Sequence, residues 1–158
     1  MMLDRSQESL EGRFQVRGGQ SRAVARRGGL VVVSAGAGTG KTTTMATRYV
    51  DTALLLAETE LEAGRTPRAR RLLERVAAVT FTELAAGELR SRIARVFRET
   101  GPKLEGLDAL QAFCREAARL EGDLPIGTIH SLCARLLRTH PVGADGEGTG
   151  PDFMVLDS

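Results

Sequence analysis

A lysine and a threonine at the end of a glycine-rich stretch carry the clearest chemistry in this sequence. Residues 35–42 read AGAGTGKT. They follow a β-branched run, GLVVVSA (29–35), and lead into helical spacing through Met45, Tyr49, Leu54 and Leu55. Strand, glycine turn and helix in that order are the setting of a phosphate-binding loop. The backbone of Ala35, Gly36, Ala37, Gly38, Thr39 and Gly40 would wrap phosphate oxygens. Gly38 and Gly40 matter most, because their missing side chains let N–H groups converge. The helix start at Lys41-Thr42 adds its dipole and free amides. Lys41, the candidate catalytic residue, would reach the β- and γ-phosphates of a nucleoside triphosphate, and the Thr42 hydroxyl would hold Mg²⁺. The usual pattern is GxxxxGK[ST]; Ala35 replaces its first glycine with another small residue. The alternative is a glycine turn that joins strand to helix and binds nothing.

Composition sharpens the lysine. Of 22 basic residues only Lys41 and Lys103 are lysine. Where arginine is written nearly everywhere, a lysine inside a glycine loop argues for its compact point charge. A length of 158 residues suits about one domain. At 42% hydrophobic and 27% charged, the chain can build a core and is too apolar to stay disordered. A net charge of +2 permits a nucleic-acid partner without demanding one. No apolar run approaches the roughly 18 residues of a membrane span, and MMLDRSQESLEGR lacks a signal peptide's apolar stretch. The expectation is a cytoplasmic protein with no membrane partner. Cys114 and Cys133 stand far apart in no ligand spacing and are expected as packed, reduced thiols.

The elements that would position the loop follow from periodicity. Residues 1–28 are polar and Gly/Arg-rich, with RGG at 17–19 and RRGG at 26–29, and are expected as loop. The run at 29–35 reads as a buried strand. The helix after the loop ends at Gly64, Thr66 and Pro67. Arg65, Arg68, Arg70, Arg71 and Arg75 against Glu74 read as a solvated helix face, with a phosphate-contacting patch the other possibility. RVAAVTFT (75–82) reads as a second strand. Residues 83–100 form an amphipathic helix with Leu84, Leu89, Ile93, Val96 and Phe97 on one side, stopped by Gly101-Pro102. A further helix covers 107–121, and TIHSLCARLLRTH (128–140) runs from a short strand or turn into a helix. Residues 143–152 are an acidic, Gly-rich loop before FMVLDS.

Three segments beside the glycine loop resemble superfamily 1 DNA helicases of the UvrD/Rep type. Gln20-Ser21-Arg22-Ala23-Val24 is similar to their glutamine motif: Gln20 lies 15 residues before Ala35, as in that family. The resemblance implies that the Gln20 amide, at once donor and acceptor, reads the adenine edge of ATP. AVTFTELAAGELRSRI (78–93) resembles motif Ia. It implies that Phe81 stacks a DNA base and that Thr80 and Thr82 bond phosphates; the alternative for Phe81 is a core position. The family commonly has Lys where this chain has Leu84. TIHSLCARLLRTHP (128–141) resembles motif Ib, which implies backbone contacts from Thr128, His130 and Ser131; a structural role for His130 is equally open. These segments look most like the AddA/RecB branch.

The implied fold is α/β: a P-loop NTPase, part of a RecA-like domain with a mostly parallel sheet and an inserted helical segment around 100–125. Residues 1–13 would be a polar lead, and 14–158 the N-terminal part of an ATP-binding helicase domain, ending before the acidic Walker B motif. VLDS (155–158) offers Asp157 without a second carboxylate. The implied parent activity is ATP- and Mg²⁺-dependent translocation on single-stranded DNA with 3′–5′ unwinding of duplex ends, in repair or recombination. Its partners would be the remainder of the helicase motor and a nuclease/helicase complex. This chain alone would then not hydrolyse ATP. The rival readings are a binding module without turnover and a small P-loop kinase.

Overall fold

The computed structural model of the chain describes residues 3–4, 6–26 and 28–139. The acidic loop at 143–152 and the apolar run ending in Asp157 lie outside the described residues. Seven helices and two short strands are formed among those described: α1 (Gln7–Arg13), α2 (Gly19–Ala25), α3 (Lys41–Glu62), α4 (Ala69–Leu73), β1 (Ala78–Thr80), α5 (Glu83–Thr100), α6 (Asp108–Arg119), β2 (Ile126–Thr128) and α7 (Ile129–Thr139). The result is mixed α/β. No helix among the described residues is long and apolar enough to cross a membrane.

The two strands pair in parallel, with Ala78 opposite Ile126, Val79 opposite Gly127 and Thr80 opposite Thr128. A parallel pair needs a long crossover, and residues 81–125 supply it with α5 and α6. Helix α5 packs on α3, α6 and β2. It begins where Thr82 accepts a hydrogen bond from the Ala85 amide, 3.1 Å, as its N-cap. It ends at Gly101, where Pro102 opens a 3-10 turn, Gly101–Lys103. The core runs between these layers. Ala46, Val50, Ala53, Leu54 and Ala57 of α3 meet Leu89, Ile93 and Phe97 of α5 and Leu110 and Phe113 of α6 in one buried cluster. Phe97 and Phe113 pack edge to face with ring centroids 6.2 Å apart.

Four expectations change. The strand at 29–35 does not form: residues 30–36 carry no regular structure, and Leu30 and Val32 are 91% and 79% exposed. A strand is completed by a neighbour's backbone groups, and the only sheet among the described residues is the β1–β2 pair. The N-terminal segment, expected as loop, contains two helices instead. Glu11 of α1 holds the start of α2 by accepting from the Gly18 amide and the Ser21 hydroxyl, both 2.9 Å. Leu10, Phe14, Val16 and Val24 of this segment are buried, so the polar lead at 1–13 contributes Leu10 to the core. Leu84 lies off the buried side of α5, 76% exposed. Cys133 is exposed, whereas Cys114 is packed as expected, its thiol pushed up to about 12 by burial.

The arginine run at 65–75 is partly neutralised by residues outside it. Arg65 grips Glu60 through two hydrogen bonds of 2.7 and 3.0 Å, which holds the Glu60 carboxyl below the usual carboxylate range. Arg70 pairs with Asp123 at 2.7 Å.

Phe97 inside α5 and Phe81 just before it should separate sharply in stability. Phe97→Ala opens a cavity in the core and is expected to cost about 3–5 kcal/mol in urea unfolding. Phe81→Ala, at a fully exposed position, is expected to stay within about 0.5 kcal/mol of wild type.

Candidate functional site

The glycine loop turns the chain into the longest helix of the fold. Gly38 and Gly40 take left-handed φ values of +75° and +84°, a conformation that costs other residues a Cβ clash. Gly40 is the N-cap of α3 and has no side chain to cap with, and the first turn holds no acidic residue. The opening amides of a 22-residue helix are therefore left for an external acceptor. Thr42 is exposed at this turn.

Gln20 and Lys41 meet at this loop. The Lys41 ammonium donates to the carbonyls of Ala35 (2.8 Å) and Gly36 (2.6 Å). Thr39 ties back to the Gly36 carbonyl through its hydroxyl at 2.7 Å. The Gln20 amide nitrogen donates to the Thr39 carbonyl at 3.0 Å, and its oxygen accepts from the Arg17 amide at 3.2 Å. One amide hydrogen and one lone pair of Gln20 remain, which is what reading a base edge requires. A Cβ on Gly40 would come within 2.5 Å of the Gln20 amide nitrogen, so alanine there would push the end of that side chain aside as well as strain φ. Gln20 and Lys41 line one cavity of about 650 Å³, with the extended segment 30–35 along one side. Arg17, Arg22 and Arg26 add positive charge to its wall, and no carboxylate is among the described lining residues. Sequence reasoning missed these three arginines because they sit in a segment expected as loop. Their signal was proximity to Gln20.

A second group of residues gathers at the edge where β1 and β2 end. The register sets Thr80 beside Thr128. Phe81 follows at 102% exposure, outside the core formed by the described residues. Two of the candidate hydroxyls are engaged in shaping the edge: Thr80 donates to the Thr82 carbonyl at 2.9 Å, and Thr82 caps α5. Across the pair, Ser131 donates to the Thr128 carbonyl at 2.9 Å, and the Thr128 hydroxyl accepts from the Ser131 amide at 3.3 Å. Glu83 accepts from the Thr128 amide at 3.4 Å, joining the two loops. His130 is exposed at the start of α7. Thr80, Phe81, Thr82, Thr128, His130 and Ser131 thus share one edge. No group of acidic, histidine or cysteine side chains among the described residues could hold a metal ion.

Residues 17–158 match the family described as UvrD/REP helicase N-terminal domain. Similar curated proteins include an ATP-dependent helicase/nuclease subunit of Pelotomaculum thermopropionicum, 36% identical over 140 residues, or 87% of this chain and 10% of that protein. The ATP-dependent helicase/nuclease subunit of the same name from Desulforudis audaxviator is 34% identical over 140 residues, 89% of this chain and 10% of its own length. ATP-dependent DNA helicase UvrD1 of Mycobacterium leprae is 32% identical over 141 residues, 87% of this chain and 13% of its own length. The chain spans about a tenth of the length of these relatives.

The two left-handed glycines should respond differently to alanine. Gly38→Ala meets open space and pays backbone strain alone, about 1–2 kcal/mol. Gly40→Ala adds displacement of the Gln20 amide. Isothermal titration with a triphosphate analogue should show the larger loss for Gly40→Ala. The double variant Gln20→Ala/Gly40→Ala should fold with the steric part of that loss relieved.

Proposed function

This chain belongs to the UvrD/REP helicase N-terminal domain family, and from that premise we propose that it is the ATP- and DNA-binding part of an ATP-dependent DNA helicase. The observation that carries the reading is the cavity shared by Gln20 and Lys41 beside an uncapped helix start. A base-reading amide and a phosphate-binding ammonium flank a single space of nucleotide size.

The glycine loop acts as the P-loop of a RecA-like domain. Amides of residues 36–42 cradle the phosphates, and Lys41 exchanges its carbonyl acceptors for β- and γ-phosphate oxygens, where charge-assisted bonds are stronger. Gln20 orients adenine. Thr42 supplies one hard oxygen for Mg²⁺, a cation that takes oxygen ligands and keeps several waters. The metal supplies charge neutralisation when bound. At the β1–β2 edge Phe81 stacks a base of single-stranded DNA, while the Thr128–Ser131 turn and the exposed His130 contact its backbone.

Opening and closing of two RecA-like lobes would ratchet the strand 3′ to 5′, in repair or recombination and within a cytoplasmic helicase/nuclease assembly. The water-orienting carboxylate and a trans-acting arginine would come from the rest of the motor. A small P-loop kinase fits less well. The arginines at 65–75 that would have to form its lid line no part of the glycine-loop cavity.

The test is nucleotide binding by the purified chain, followed by fluorescence with Mg²⁺ present. Lys41→Ala removes a hydrogen bond to a charged group, worth about 1.5–3 kcal/mol, so affinity should fall roughly 10- to 150-fold. Single-stranded DNA binding without nucleotide should survive. Turnover by the chain alone should stay below about 1 s⁻¹, an ordinary enzymatic rate. Wild-type affinity in the lysine variant would overturn the loop assignment. Efficient turnover from contaminant-free chain would favour a self-sufficient enzyme.

A further inference from the structure

We propose that Arg92 is a positioning residue that couples the nucleotide loop to the Phe81 edge by holding Thr43. The inference rests on the reading that the glycine loop binds nucleotide and that the edge binds DNA.

Helix α5 touches both places. Its N-terminus is the edge itself: Phe81 directly precedes the Thr82 cap. At Arg90 the guanidinium donates to the Ile126 carbonyl of β2, fixing the helix to the strand that ends in Thr128. Arg92 lies two positions on, about 200° around the helix, and so points to the opposite side. There it donates to the Thr43 hydroxyl at 2.9 Å. Thr43 follows Thr42 in the first turn of α3, the turn whose amides face the loop. About ten helical residues, roughly 15 Å of continuous helix, separate this contact from the Phe81 edge.

Electrostatics give the contact a direction. A cation beside a helix N-terminus is disfavoured by the dipole, whereas an anion there is favoured. Arg92 therefore sits at an unfavourable end of α3 until negative charge enters the loop. Phosphate in the loop reverses the sign, draws the guanidinium toward the turn and tightens α5 on α3. The Arg92–Thr43 contact borders a cavity of about 380 Å³ that leaves the side chain room to move. A tie between α3 and the segment leading into β1 is of a different kind. The Tyr49 hydroxyl donates to the Val76 carbonyl at 3.0 Å, almost two turns deeper in α3 and with its ring buried. That tie anchors the helix; Arg92 reads its end.

The experiment is anisotropy of a labelled single-stranded oligonucleotide on the full chain, with and without Mg²⁺ and a non-hydrolysable ATP analogue. In wild type the analogue should change DNA affinity by about fivefold or more, the lower range of measured couplings. Arg92→Met keeps the apolar stem and loses the donors, and should bring the ratio within about twofold, with each ligand alone binding within about threefold of wild type. Thr43→Val, nearly isosteric and safe for folding, should do the same, and Thr43→Ser should retain the coupling. The double variant Arg92→Met/Thr43→Val should be no worse than either single one. A wild-type ratio in Arg92→Met or Thr43→Val, or additive losses in the double variant, would overturn the proposal. Binding of both ligands to wild type with no coupling would overturn it and leave the proposed function standing. Failure to bind either ligand would overturn both.

Discussion

Helix α3 has to be clamped along its length and left bare at its beginning, and the rest of the molecule is arranged around that requirement. The clamp is made with small residues. Ala46, Ala53 and Ala57 are wholly buried together with Val50 and Leu54, so α2 and α5 can both pack on the helix. Arg48 donates to the Ala23 carbonyl of α2 on one side, and Arg92 to Thr43 on the other. A helix held this way cannot turn to bury its own first amides. Gly40 offers no side chain to satisfy them. The partial positive charge of the helix start is thus presented to whatever the glycine loop encloses.

The parallel strand pair does the corresponding job for the other edge. Two strands running the same way send their following loops out of the same side. Pairing Thr80 with Thr128 therefore brings together two segments that are remote in sequence. Gly127 permits the tightness of this corner, since a Cβ there would run into the Ser131 side chain. Several hydroxyls read as DNA contacts first serve the fold: Thr82 caps α5, and Thr128 and Ser131 bind one another's backbone. Each hydroxyl oxygen still has capacity beyond one bond, so holding the corner and touching a strand are compatible. Phe81 has no such double duty: its ring packs on nothing among the described residues.

Much of this was legible in the residues, for local reasons. The span Glu83–Thr100 was readable because its apolar residues repeat at helical spacing and Gly101-Pro102 must stop a helix. The break of α3 near Gly64 follows from that glycine's φ of +71°. The resemblance to the helicase glutamine motif implied that Gln20 and Lys41 belong to one site, and one cavity contains both. What stayed hidden depended on partners elsewhere. Three valines in a row at 31–33 have strand propensity, yet a strand exists only with a neighbour, and residues 30–36 have none among the described residues. The helices at 7–13 and 19–25 are too short for periodicity to register. Their order comes from Glu11 reaching across to Gly18 and Ser21. Cys133 sits in an apolar sequence context, but α7 leaves that position outside.

The hydrogen bonds around the loop indicate what kind of ligand could displace them. Lys41 is bound to two neutral carbonyls of its own loop, and Gln20 to a third carbonyl, that of Thr39. These contacts satisfy the donors without neutralising charge. The cavity that Gln20 and Lys41 share is lined by three further arginines and by no described carboxylate. A neutral ligand would have to break the lysine contacts for nothing stronger. A polyphosphate replaces them with charge-assisted bonds and also occupies the bare end of α3. The same substitution takes the Lys41 donor from the Ala35 carbonyl, while the Gly36 carbonyl keeps the Thr39 hydroxyl. A triphosphate that took Lys41 from these carbonyls would change the loop directly before the first turn of α3, where Arg92 holds Thr43.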